Sequence, residues 1–217
     1  APEELAYIIA DMCYYAGRGV RQSNPAAKIV LPGLCNYDTT PDFLDGIYAA
    51  IESRALPAGE TYADTDPDNY FQILSWHPYV LTGSGDLSEA WVLQQQEIYA
   101  VAERHGDGDK AVWYTEMGWS DSGNRSMETV IADRFIDLFE KTRSRLPFVE
   151  AVFIFRISTL AESRISQLED NFGLIVSPLD EQRPGEPKPA ALAIAQYIRG
   201  EDCDLSLLYK YVPEEEV

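Results

Sequence analysis

Cysteine is scarce: Cys13, Cys35 and Cys203 are the only three in 217 residues, odd in number and far apart. No Cys-x-x-Cys pair occurs and His77 and His105 are the only histidines. A structural zinc site is therefore not expected, and at most one disulfide can form. Basic residues are few, 17 against 36 acidic, for a net charge of −19. That sign repels phosphate backbones and anionic headgroups, so neither nucleic acid nor a membrane surface is expected as a partner. No stretch approaches the roughly 20 apolar residues of a membrane span. No signal-peptide pattern is read at Ala1-Pro-Glu-Glu, and internal repeats and low-complexity tracts are lacking. Neither GxGxxG nor GxxxxGK[ST] follows any apolar run, which removes the usual nucleotide fingerprints.

What remains is an ordinary globular composition, 46% apolar and 12% aromatic. Apolar periodicity predicts helices over 3–17, 41–53, 88–104, 127–145 and 189–199. In the first of these Leu5, Ile8, Ile9, Met12 and Cys13 recur at helical spacing. Short β-branched or aromatic runs at 28–32, 71–77, 111–116 and 151–155 read as strands between them, and 204–211 as a short terminal segment. The stretch 54–69, rich in Pro, Gly and Asp, reads as an exposed loop, and 157–187 as a long connection of the kind more often functional than idle. Near-continuous apolar strands alternating with helices signal a parallel sheet covered on both faces, either an open doubly wound sheet or a piece of a barrel.

Chemistry at the strand ends favours the barrel, because reactive groups in a (β/α)₈ barrel sit where strands run into the following loops. Three ends carry polar or aromatic groups: Ser75-Trp76-His77-Pro78-Tyr79, Trp113 to Ser120, and Phe153-Ile-Phe-Arg156. Glu116 is the sharpest feature. A carboxylate after Val-Trp-Tyr-Thr is buried or half-buried, which costs several kcal/mol unless it is paired. It reads either as an acid capping a loop or held by an arginine, or as a nucleophile or general acid/base on a cleft floor.

The run WYTEMGWS resembles the seventh-strand motif of the clan A glycoside hydrolases, where a glutamate ends the strand and Gly-Trp follows. ILSWHPY resembles their sixth-strand motif, SNPAAKIVLPGL their fourth helix and fifth strand, and EDNFGLIVSPLDEQRPGEPKPAALAI their ending. The resemblance covers nearly the whole chain. It implies one domain over 1–217, the carboxyl-terminal half of a (β/α)₈ TIM barrel, with four parallel strands and flanking helices. Glu116 matches the nucleophile of a retaining glycosidase, Tyr79 the tyrosine that hydrogen-bonds it, and His77 a residue contacting that carboxylate or the sugar. Trp119 and Trp76 are further candidates for sugar contact, as are Phe155, Arg156 and, just past the fifth strand, Asn36. The substrate implied is a carbohydrate, without metal or cofactor, and the family habit together with the acidic surface suggests a secreted protein.

The chain departs from the pattern twice. Phe155-Arg156 stands where the family usually ends its eighth strand on tryptophan. The family's acid/base glutamate follows an asparagine at the end of the fourth strand, and no Asn-Glu pair occurs here. Because retaining catalysis needs two carboxylates about 5–5.5 Å apart, this chain alone is expected to be inactive. A half-barrel also leaves strand edges and an inner face uncovered, so a partner is expected, either the missing amino-terminal half or a second copy. Two other readings compete: a carbohydrate-binding or scaffolding barrel that has lost catalysis, and an unrelated barrel or doubly wound enzyme.

Overall fold

A computed structural model of the chain describes residues 2–35, 39–53, 64–80, 85–160 and 167–200. Three parallel strands, β1 (Ile73–Trp76), β2 (Ala111–Met117) and β3 (Val149–Ile154), lie side by side in chain order. β1 and β2 pair from Ile73↔Ala111 to Trp76↔Tyr114. β3 joins through Val112 N–H to Phe148 O (2.8 Å) and Phe155 N–H to Met117 O (2.9 Å). The architecture is α/β, and the sheet is open.

The fourth strand, expected at 28–32, does not form as a regular strand. That segment touches β1 through two isolated parallel bridges, Val30↔Ile73 and Leu34↔Trp76. Between the bridges it advances four residues (30 to 34) while β1 advances three (73 to 76), so one residue is extra. Leu31 donates to Ile73 O at 2.9 Å, and the next inward donor is Leu34 to Ser75 O at 3.2 Å. Pro32, which has no N–H, and Gly33 lie between them and bulge out of the ladder.

The helices are α1 (Pro2–Ser23), α2 (Thr40–Glu52), α3 (Glu89–Arg104), α4 (Met127–Arg145), the single turn α5 (Gln167–Asp170) and α6 (Pro189–Arg199). α1 runs past the predicted end at 17, through Gly17, where an added β-carbon would stand 3.1 Å from Ile29 Cγ1, and Gly19, where one would meet nothing within 4 Å. Each mid-helix glycine costs about 1 kcal/mol, which tertiary packing overrides. Its buried face is also not the expected one. Ala6, Ala10, Cys13 and Tyr14 are buried, whereas Leu5, Ile8, Met12 and Tyr15 are exposed. Small residues win the inner face because α1 packs on α2 closely, with Gly46 against Ala6.

The chain divides into two compact units. The first comprises Ala1–Pro78, Glu89–Glu116 and Leu146–Phe153; the second comprises Tyr79–Ser88, Met117–Arg145 and Ile154–Val217. In the first, period-two alternation sends Trp76 and Tyr114 toward α3, where Trp91 meets Tyr114 edge-on and Gln95 accepts from Trp76. Ser75 and Thr115 alternate the other way and hydrogen-bond each other at 2.7 Å. Trp113 and Phe153 pair at 5.5 Å, and Phe153 is 46% exposed. Just after α3, His105 places Nδ1 2.6 Å from Glu52 and Nε2 3.1 Å from Asp45, both on α2, and stacks on Tyr48 at 4.5 Å.

In the second unit α4 packs on α6, with Phe139 against Tyr197. Pro189 starts α6, and Gly200, at φ 70°, caps it in the left-handed conformation. The expected loop 157–187 carries ordered backbone where it is described. Ser158 and Pro187 each bridge to Ile175, and Leu160 N–H reaches Asp170 O. Arg183 forks onto Glu128 (2.7 and 3.1 Å) and also holds Glu186, while Lys188 pairs with Asp121 in the interior. The terminal segment expected at 204–211 lies outside the described residues.

Candidate functional site

Glu116 is the next-to-last residue of β2, and His77 directly follows β1, the neighbouring strand. Parallel pairing therefore sets both at the carboxyl ends of their strands, and His77 Nδ1 lies 3.6 Å from Glu116 Oε2. Glu116 is half-buried, with 39% of its side chain exposed, while His77 retains 17%. The His77 backbone is tied to Leu34 O at 2.9 Å. Burial pushes the His77 imidazole below the ordinary histidine value, and the adjacent Glu116 charge only partly offsets this. The ring therefore sits beside the carboxylate as a neutral imidazole near pH 7 rather than as a counter-ion.

Gly33 completes this corner. A β-carbon there would stand 2.1 Å from His77 Nε2 and 2.7 Å from Thr115 Oγ1. The backbone bulge at 32–33 therefore presses against the imidazole with no room for a side chain. Nothing in the sequence pattern singled out Gly33, Ser75 or Thr115; the only signal was a glycine straight after a strand-breaking proline.

The second unit holds Tyr79, Phe155, Arg156 and Trp119. Tyr79, Phe155 and Phe172 meet in three edge-on contacts at 6.3, 5.9 and 5.4 Å. Edge-to-face geometry suits the ring quadrupoles and fixes all three rings. Gly118 lets this cluster close, since a β-carbon there would meet Phe172 at 3.2 Å. Arg156 lies over the Phe155 ring at 5.3 Å and faces Asp170 at 4.0 Å. Its φ of 68° is left-handed, a strained conformation for a residue with a side chain. Phe172 and Asp170 were not singled out as partners of these residues from sequence; the F-G-L run downstream of β3 was the available cue.

Two residues expected at the sugar, Trp76 and Trp119, are buried. Trp76 is 2% exposed, with its indole N–H on Gln95 and its ring against Tyr114 and Phe148. It belongs to the helix-side core because it alternates away from Ser75 and His77. Trp119 is 6% exposed, donates to Gly85 O at 2.8 Å and stands edge-on to Phe135, leaving little ring face for a ligand. Asn36 lies outside the described residues.

Cys13 is buried and its thiol is pushed up to about 11 by burial; Cys35 is exposed, and both are free thiols, while Cys203 lies outside the described residues. Among the described residues no group of three or more His, Cys, Asp or Glu side chains is placed to hold a metal ion, and no helix is long and apolar enough to cross a membrane. No protein-family model matches the chain, and no curated protein matches it.

Proposed function

We propose that the chain is the carboxyl-terminal half of a (β/α)₈-barrel glycoside hydrolase that cleaves O-glycosidic bonds of a carbohydrate by retaining double displacement. The observation that carries this reading is Glu116: a half-exposed carboxylate at the carboxyl end of a parallel strand, with a neutral imidazole 3.6 Å away. The segment 30–34, β1, β2 and β3 neighbour one another in chain order, as consecutive strands of a barrel do.

In this reading Glu116 attacks the anomeric carbon and forms a glycosyl-enzyme, which water then hydrolyses. His77 orients the nucleophile. The acid/base glutamate is supplied from outside the chain, and the protein is secreted. Uncovered apolar surface supports a completing partner, the amino-terminal half or a second copy: Leu5, Ile8, Met12 and Tyr15 form one exposed stripe on α1.

The test uses the protein together with its amino-terminal half. A 2-deoxy-2-fluoro glycoside is expected to label the peptide containing Glu116, and Glu116→Ala to abolish turnover. Undiminished turnover in that variant ends the proposal. A barrel that binds sugar without cleaving it is favoured by one observation, the strained Arg156 at the end of the eighth strand of this reading. Calorimetric sugar binding without turnover is its signature.

A further inference from the structure

We propose that Gly33 is a positioning residue for the His77–Glu116 pair: the bulged backbone at 32–33 is a seat that holds the imidazole edge-on to the carboxylate. The role in catalysis rests on the reading of Glu116 as nucleophile; the seat itself does not.

Three observations converge on it. The first is the extra residue between the Val30 and Leu34 bridges, which pushes Gly33 out of the ladder beside β1. The second is the approach itself. A β-carbon at 33 would lie 2.1 Å from His77 Nε2 and 2.7 Å from Cδ2, so that edge of the ring rests on the Gly33 backbone while Nδ1 faces Glu116. The third is that Gly33 is not among the glycines with positive φ. Any residue can adopt its backbone conformation, so glycine is required here for space alone.

Thr115 closes the far side. Its hydroxyl lies 2.7 Å from the same absent β-carbon and is fixed by Ser75 Oγ at 2.7 Å, so a side chain at 33 cannot swing that way. The His77 backbone cannot retreat freely either, because its N–H is held by Leu34 O, one residue beyond the seat. A methyl group at 33 therefore displaces the ring. Rotating about χ1 toward solvent carries the imidazole away from Glu116 and out of the burial that keeps it neutral.

The chain holds two histidines, so ¹⁵N-histidine labelling gives two pairs of ring-nitrogen signals that His77→Gln assigns. In Gly33→Ala the His77 signals are expected to move and its titration midpoint to rise toward the ordinary value of about 6.5, while His105 stays unchanged as the internal control. Unchanged His77 shifts and midpoint overturn the proposal. If Gly33→Ala unfolds, the double variant Gly33→Ala/His77→Ala decides. Deleting the ring makes room for the methyl group, so stability is expected to recover above that of Gly33→Ala. No recovery overturns the seat. None of these readouts involves turnover, so loss of the seat and loss of the glycosidase reading are separately visible.

Discussion

Trp76 gives its indole N–H to Gln95 Oε1 across 2.7 Å, and this bond joins the first strand of the sheet to the helix covering it. Both side chains are buried. Gln95→Leu keeps the volume and removes the acceptor, leaving a buried donor unsatisfied at a cost of about 1–3 kcal/mol. Urea unfolding is expected to show a lower midpoint with an unchanged slope. An unshifted midpoint would show that this bond does not hold the helix to the sheet.

Arg183 grips Glu128 with Nη1 and Nη2 and Glu186 with Nε and Nη2, tying the end of the long 157–187 segment to α4. Glu128 keeps only 6% of its side chain exposed. Arg183→Ala strands that carboxylate and is expected to destabilise the fold by about 3–5 kcal/mol. Arg183→Lys, with the charge but not the planar fork, is expected to recover only part of the loss in a thermal melt. Equal melting temperatures for Arg183→Ala and the native chain would disprove this tie.

His105 predicts a pH dependence. Burial lowers its affinity for a proton, but Glu52 and Asp45 outweigh this and raise its pKa above the ordinary histidine value. The folded chain therefore holds this proton more tightly than the unfolded chain. The resulting stabilisation is complete below about 6.5 and fades as pH rises through the raised value. His105→Gln is expected to flatten stability across that alkaline window. His77, depressed by burial, acts oppositely and costs stability as pH falls below about 6.5, so the two variants bend the stability curve at different ends.

The exposed α1 stripe predicts association. Light scattering of the purified chain is expected to detect self-association at high concentration, and Met12→Glu to suppress it. A clean monomer of the native chain at high concentration argues against a covering partner on that face.

Much of this was legible in the sequence wherever local pattern and tertiary environment agree. Helix α4 begins and ends where its periodicity does, and the apolar runs around Leu74 and Val112 become strands. Glu116 and His77 were readable because a polar residue ending an apolar run has few structural uses. What the sequence left unread has a common origin in packing. The inner face of α1 is lined by Ala6 and Ala10 because helix separation rewards small side chains there, and hydrophobicity ranking points to Leu5 and Ile8 instead. Trp76 and Trp119 have the same aromatic character whether they face core or solvent, and only strand parity and neighbours decide. The seat at Gly33 depends on a one-residue mismatch between two segments far apart in sequence, which no local window contains.

That mismatch makes sheet regularity and site geometry compete. Deleting Pro32 equalises the spacing between the two bridges at three residues each and restores an even ladder. The improved ladder then draws position 33 back into line and withdraws its support from the imidazole. A protein engineer who tidies this edge for stability should find the chain harder to melt and its histidine no longer aimed.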